Sequence, residues 1–388
     1  SSLFGFIGGL GMFLYGMNIM ADGMQKTAGG RMKQFLGMLT NNRFMAVVLG
    51  ALITAIIQSS GATTVMVVGF VSAGVMNLTQ AVGVIMGANI GTTITAWIVS
   101  MSQLGDAFEV MEPIFYAPLI IGIGSLLIIF SMKQRKKLIG EILVGLGLLF
   151  IGLDFMSSSI APYTDAPIFS QAFALLGSNP ILGMIVGFVV TTLLQSSSAS
   201  VGILQTLALN GIVTTNAAIY ITLGQNIGSC TTALISSIGG SRTAKRAAVI
   251  HLTFNIIGSI IFGVVGFFVF TFNPAIAGSE INAVQISIFH TVFNLTNTII
   301  LFPFANQLVK ISGLVIKEKP GEKDTELTEE EVVLKHLDER IFESPAFALE
   351  TAVLEVIHMG QITQTNLGRA VKAVEGRSQE DINEVYKA

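Results

Sequence analysis

NRFMAVVLGALITAIIQSSGATTVMVVGFV, residues 42–71, is apolar almost throughout and is interrupted once, at Gln58-Ser59-Ser60-Gly61. NPILGMIVGFVVTTLLQSSSASVGILQTLA, residues 179–208, has the same layout around Gln195-Ser196-Ser197-Ser198. As helices, the arms of the first segment, 44–57 and 62–73, would be about 21 and 18 Å long at ~1.5 Å per residue. Neither would cross a hydrocarbon layer of roughly 30 Å alone. Two short arms joined at a polar break predict a re-entrant hairpin over 44–73 and another over 180–212. Such a break is tolerable at membrane depth only where its backbone is buried in protein or lines a water-filled cavity.

The hairpins are copies of each other. At a constant offset of 137, residues 42–96 align with 179–233 without a gap, and 15 of 55 positions are identical. The matches concentrate at polar residues: Gln58/Gln195, Ser59/Ser196, Ser60/Ser197, Asn89/Asn226 and Thr95/Thr232. At an offset of 136, Gly9-Leu10-Gly11 matches Gly145-Leu146-Gly147 and Gly16 matches Gly152. Each copy carries three full spans besides its hairpin, so the second copy starts on the opposite side of the membrane. That predicts an inverted-topology repeat, with the binding site where the interrupted helices meet.

Composition agrees with a membrane protein. The 388 residues are 52% hydrophobic and 12% charged, with mean hydropathy +0.72; soluble domains carry about twice that charged fraction. Seven segments are read as spans, near 3–21, 79–100, 114–131, 141–160, 215–238, 247–272 and 282–309. Residues 1–310 hold 12 Lys/Arg and 8 Asp/Glu, whereas 311–388 hold 9 and 16. With the C-terminal tail in the cytoplasm, every Lys and Arg of the apolar part falls on the cytoplasmic side. The acidic residues Asp106, Glu109, Glu112, Asp165 and Glu280 fall on the other. This sorting follows the positive-inside rule and places the chain in the cell membrane. The expected fold is therefore an all-α membrane protein. Residues 1–140 form the first repeat, 141–272 the second, 273–310 a final span, and 311–388 a linker with a helical tail. The linker is read at Lys317–Glu331, around Pro320 and Gly321. Phe347, Val353, Leu354 and Ile357 suggest one apolar helical face in the tail. The chain begins at Ser1 rather than at an initiator Met, and no cleavable signal peptide is visible. Cys230 is the single cysteine and cannot form an internal disulfide.

The polar residues point to ion transport. The second arm of each hairpin starts just after its QSS, so each tip offers helix N-terminal N–H groups, a setting suited to an anion. Ser59, Ser60, Ser196, Ser197 and Ser198 add hydroxyls, and Gln58 and Gln195 both donate and accept. GANIGTT at Gly87–Thr93 and GQNIGSC at Gly224–Cys230 add Asn89, Asn226 and further neutral oxygen ligands, a set suited to a hard monovalent cation. No Lys or Arg lies within the spans or hairpins. A multiply charged anion there needs compensating charge, which co-bound sodium would supply. Asp154, matched to Asn18 in the first repeat, is a candidate for cation coupling or gating. His251 and Asn255, like His290 and Asn294, share helix faces and are read as interhelical hydrogen-bonding residues. No serine–histidine–acid set can be drawn, so no enzyme is expected. The basic loops are read as topogenic rather than as nucleic-acid binding.

On these motifs the chain resembles the type II sodium-dependent phosphate cotransporter family. The resemblance rests on the paired QSS and N-I-G-[ST] motifs and on RTAKRAAVIH at Arg242–His251, and covers roughly residues 1–310. It implies a sodium–phosphate symporter working by alternating access, with substrates between the hairpin tips. Phosphate would contact Ser59, Ser60, Ser196 and Ser197, with Ser198, Gln58, Asn89 and Asn226 as further phosphate candidates. One sodium would use Gln195, Ser196, Ser229 and Thr232, and the related positions Gln58, Ser59, Thr92 and Thr95 are candidates for another. The first hairpin has Gly61 where the second has Ser198. Sodium ions, inorganic phosphate and the lipid bilayer are the expected partners, with no other cofactor. LDERIFESPAFALE, Leu337–Glu350, is similar to part of the PhoU-like regulatory domain of bacterial members. The alternatives are a phosphate exporter or a carrier of a related oxyanion, and after them a channel or membrane sensor.

Overall fold

A computed structural model describes residues 2–37, 42–72, 76–101, 113–163, 171–172, 175–176, 178–238, 240–317 and 345–376. Among these the architecture is all α, and the chain divides into two compact units, Ser1–Glu322 and Lys323–Ala388. The first unit runs through α1 (Ser2–Gly37), α2 (Arg43–Ile57), α3 (Ser60–Ser72), α4 (Leu78–Ser100), α5 (Pro113–Phe130) and α6 (Gln134–Ile160). It continues through α7 (Pro180–Leu194), α8 (Ser197–Leu209), α9 (Thr215–Gly228), α10 (Cys230–Ser237), α11 (Arg242–Phe272), α12 (Ala283–Leu301) and α13 (Ala305–Val315). The described helix of the second unit is α14 (Pro345–Gly376), where Val353 and Ile357 are exposed.

Both interrupted segments fold as two helical arms, α2–α3 and α7–α8. Each first arm starts on an asparagine cap: the Asn42 side chain accepts from the N–H groups of Phe44 and Met45, and that of Asn179 from Leu182. Each ends on a glutamine in the left-handed region, Gln58 at φ 57° and Gln195 at φ 51°. They are the only non-glycine residues with positive φ among those described. That conformation costs roughly 1–2 kcal/mol for a residue with a Cβ, so both turns are held by their surroundings.

Glycine lets the helices approach closely enough to build the repeats. In α2–α4, a Cβ at Gly87 would strike the Val47 carbonyl; in α7–α9, one at Gly224 would strike that of Met184. These are equivalent pairs at the offset of 137. In α1 and α6, Gly9 lies against Gly152 and Met156, and Gly16 against Gly145 and Leu149. The two helices therefore run antiparallel, and their contacts exchange when the repeats are exchanged. Around this seam Phe13, Met17, Leu149, Phe150 and Met156 form an apolar core. A second cluster sets Tyr220, Leu223 and Phe293 against Phe262 and Phe289.

Among the described residues, five helices are long and apolar enough to cross a membrane: Leu3–Met24, Leu78–Ser100, Gln134–Tyr163, Arg242–Phe272 and Ala283–Val315. The expected span at 114–131 is a shorter apolar helix, Ile114–Phe130. The expected span over 215–238 is not one helix but α9 and α10, meeting at Ser229. Side-chain hydroxyls bond back to helix carbonyls there, while the Ser229 N–H still donates to the Gln225 carbonyl at 2.9 Å. Ser229 Oγ donates to the Asn226 carbonyl at 2.7 Å, and Thr231 Oγ1 to that of Gly228 at 2.7 Å. Its counterpart α4 runs unbroken. Asp106, Glu109, Glu112, Asp165, residues 318–331 of the linker and residues 337–344 of the PhoU-like stretch lie outside the described residues, as do the side chains of Phe347 and Leu354.

Two glycines of α1 separate packing from propensity. A Cβ at Gly16 would lie 2.6 Å from both the Gly145 carbonyl oxygen and the Leu149 nitrogen, whereas one at Gly11 meets nothing within 4 Å. Gly16→Ala should cost about 1–3 kcal/mol by forcing α1 from α6. Gly11→Ala should leave stability unchanged or raise it by up to ~1 kcal/mol. Melting temperatures of the detergent-purified variants check the contrast.

Candidate functional site

The two glutamine turns make the same contacts, one repeat apart. The Gln58 amide donates to the Ala55 carbonyl, and its Oε1 accepts from Thr95 Oγ1 at 2.9 Å. The Gln195 amide donates to the Thr192 carbonyl at 2.6 Å, and its Oε1 accepts from Thr232 Oγ1 at 3.2 Å. The hydroxyls of Ser59 and Ser196 then cap the second arms, accepting from the N–H groups of Ala62 at 3.1 Å and Ala199 at 3.2 Å. This leaves the first N–H groups of α3 and α8 as orphan helix-start donors. Deeper in each hairpin, Thr54 bonds Thr63 at 3.0 Å and Thr191 bonds Ser200 at 2.8 Å, again equivalent pairs.

The tips meet. Ser60 Oγ and Ser197 Oγ, each the other's counterpart, lie 3.4 Å apart. Beside them is a cavity of about 160 Å³ lined by Gln58, Ser59, Ser60 and Gly61 from one tip and Gln195, Ser196, Ser197 and Ser198 from the other. Ser229 and Thr232 also line it, with Thr191, Gly228, Met17, Asn18 and Ala21. Among the described residues, no charged side chain lines it. Positive potential for an anion therefore comes from helix N-termini and hydroxyl dipoles. The two tips are not equally accessible: Gln58 and Thr95 are 4% and 2% exposed, whereas Gln195 is exposed and Thr232 half-buried.

Asn89, Thr92 and Asn226 lie in a second, smaller cavity adjoining Ser197 and Ser229, together with Val201, Gln225 and His290. Thr95 is buried behind the first cavity, bonded to Gln58. Asp154 is exposed and lines neither cavity; its counterpart Asn18 lines the larger one. Asn18 was legible as a polar position in an apolar span, but Asp154, carrying the charge, drew the attention. Asn255 and Asn294 bond back to the carbonyls of His251 and His290 in their own helices, at 3.1 and 2.9 Å, and Asn255 Nδ2 also donates between helices to Cys230 Sγ at 3.3 Å. Between helices, His290 Nε2 reaches Asn226 Oδ1 at 3.4 Å. Gln205 of α8 donates to the Ala96 carbonyl at 3.1 Å and that of Ala283 at 3.0 Å, tying the second hairpin to α4 and α12.

Residues 12–158 and 166–293, which include both hairpins and both N-I-G helices, match the model of the Na+/Pi-cotransporter family. The chain belongs to that family. It is 27% identical to YjbB of Salmonella typhimurium, provisionally named an inorganic phosphate export protein, over 97% of this chain and 68% of that one. It is 28% identical to the uncharacterized protein YqeW of Bacillus subtilis over 79% of this chain and 96% of that one. A stretch of 105 residues, 26% of this chain and 15% of the other, is 36% identical to human sodium-dependent phosphate transport protein 2B. No solved structure matches the chain.

Replacing the turn glutamines with glycine separates ligand chemistry from fold. Glycine relieves the left-handed strain while removing the amide. Gln58→Gly and Gln195→Gly should therefore stay within about 1 kcal/mol of wild-type stability, since the lost hydrogen bonds and the relieved strain are of similar size. Each should weaken sodium-dependent phosphate binding about 5- to 150-fold, the equivalent of ~1–3 kcal/mol. Gln80, whose side chain closes the capping box at the start of α4, is the control. Gln80→Ala should cost about 1 kcal/mol of stability and leave binding intact. Wild-type binding in both glycine variants would place the site elsewhere.

Proposed function

We propose that this chain is a secondary active transporter that couples sodium to inorganic phosphate, with alternating access to a site between the two hairpin tips. The observation that carries the reading is the meeting of Ser60 and Ser197, 3.4 Å apart, at a cavity lined by both QSS motifs and, among the described residues, by no charged one. Phosphate is assigned to the helix-start N–H groups with Ser59, Ser60, Ser196, Ser197 and Ser198. Sodium is assigned to Gln195, Ser196, Ser229 and Thr232, with Gln58, Ser59, Thr92 and Thr95 as the related set. With no lysine or arginine to meet a multiply charged anion, co-bound cations lower its desolvation cost.

An inverted repeat is supported by the antiparallel α1–α6 seam and by contacts that recur at the offset of 137. On this reading the unequal exposure of Gln58 and Gln195 marks one of two alternating states, and the other state exchanges them. The orientation rests on where the basic residues sit. Lys26 pairs with Glu141 at 3.4 Å, Arg43 bonds Asn306 at 2.5 Å, and Arg246 reaches Ser312 at 3.4 Å. All three contacts lie near helix ends assigned to the cytoplasmic side of the cell membrane. Export is the second reading, favoured by the name given to YjbB; the same site would serve with the driving gradient reversed.

Proteoliposomes test the coupling. Phosphate uptake should require an inward sodium gradient and should collapse when potassium replaces sodium. Equal uptake in potassium, without a proton gradient, would rule sodium coupling out.

A further inference from the structure

We propose that Gln205 is a positioning residue for transport: by tying the second hairpin to the first repeat, it holds Ser197 against Ser60 at the substrate cavity. The proposal rests on the transport reading above and adds a residue that touches neither sodium nor phosphate.

The tie lies at one turn of α4, where three successive residues each reach another element. Thr95 Oγ1 donates to Gln58 Oε1 of the first hairpin at 2.9 Å. The Ala96 carbonyl accepts from Gln205 Nε2 of the second hairpin at 3.1 Å and from Ser287 Oγ of α12 at 2.9 Å. Trp97 Nε1 donates to Thr291 Oγ1, also of α12, at 2.9 Å. Gln205 is 0% exposed, and its amide nitrogen also lies 3.0 Å from the Ala283 carbonyl and 2.9 Å from Ser287 Oγ. Two carbonyls on one amide nitrogen fix its orientation, because a flipped amide would set oxygen against oxygen. The Oε1 is buried without a hydrogen-bond partner. An acceptor left unpaired in the core costs stability; what the side chain supplies in return is the bond between repeats.

The second repeat lacks this junction. Thr232 bonds Gln195 as Thr95 bonds Gln58. At the offset of 137, however, the counterpart of Gln205 is Val68 and that of Trp97 is Leu234, and neither side chain can donate. Of the three ties, only the first has an equivalent. Ser197 precedes Gln205 by eight residues, about 12 Å along α8 at ~1.5 Å per residue. Fixing α8 at Ala96 therefore fixes its start relative to Thr95, the residue that holds Gln58. Both tips are set by the same turn of α4, and the 3.4 Å contact of Ser60 with Ser197 follows.

The tie can be removed without stranding its partners. The Ala96 and Ala283 carbonyls remain within reach of Ser287 Oγ, at 2.9 and 3.1 Å. Gln205→Met keeps the unbranched shape and removes the orphan oxygen. Cys230 is the single cysteine and is buried, so S60C/S197C reports on the tips alone. In the purified full chain, copper–phenanthroline should cross-link that pair readily. Adding Gln205→Met should slow cross-linking about tenfold, the equivalent of ~1.4 kcal/mol. With the serines restored, Gln205→Met should raise the half-saturating phosphate concentration for sodium-driven uptake by a similar factor, with maximal rate and melting temperature little changed. Thr206→Val is the control: Thr206 is equally buried, but its hydroxyl bonds the Gly202 carbonyl of its own helix. It should alter neither readout. Wild-type cross-linking and half-saturation in Gln205→Met, whatever its melting temperature, would overturn the proposal. Gln205→Leu takes its place if it does not fold; if neither folds while Thr206→Val does, Gln205 is a core residue and the proposal falls. Failure of S60C/S197C to cross-link would remove the tip contact, and the proposal with it. Sodium-independent uptake by the wild type would remove the transport reading, while cross-linking still decides whether Gln205 sets the tips.

Discussion

A helix interrupted inside an apolar layer frees carbonyl and N–H groups that no solvent will satisfy. In this chain both interruptions are closed in the same way. A glutamine takes the left-handed conformation, its amide group spans a carbonyl of the arm just ended and a threonine of the N-I-G helix, and the next serine caps the arm about to begin. Every other feature of the site depends on that closure. It fixes where α3 and α8 start, and so where their orphan N–H groups are presented. It also binds each tip to the helix carrying the neighbouring oxygen ligands.

The closure needs helices packed at backbone distance, which glycine provides. Gly87 against Val47 and Gly224 against Met184 let α4 and α9 lie directly along the first arms of the hairpins. Without that approach Thr95 and Thr232 would not reach the glutamine side chains. The repeat is thus more than a similarity of sequence. The same pairs of residues meet in both halves, from the asparagine caps to the buried threonine and serine hydroxyls.

Among the described residues, no Asp, Glu, Lys or Arg lines either cavity. Around the larger one, helix starts and hydroxyls can donate; around the smaller one, one N–H of each asparagine is committed to a helix carbonyl. The two cavities share Ser197 and Ser229, and the two tips differ in exposure, Gln58 being buried and Gln195 exposed.

Much of this was legible in the chain itself. Short apolar arms around a polar break, repeated at a fixed offset, are local properties, and the bilayer leaves few ways to satisfy them. The QSS serines and glutamines were therefore identifiable as tip residues before any coordinates, as was the all-α architecture. Three features were decided only by the tertiary structure. Hydropathy did not register the interruption at Ser229 between α9 and α10, because both sides of it are equally apolar. Asp154 and Asn18 are equivalent in sequence, yet Asp154 is exposed and Asn18 lines the cavity. The division of the polar residues between two cavities, with His290 and Gln225 drawn into one, depends on which way each amide turns. That direction is set by carbonyls of the folded helices, and only packing brings α12 to Asn226. Sequence spacing determines which residues share a helix face; the directions of their donors and lone pairs exist only once neighbouring helices have claimed one end of each side chain.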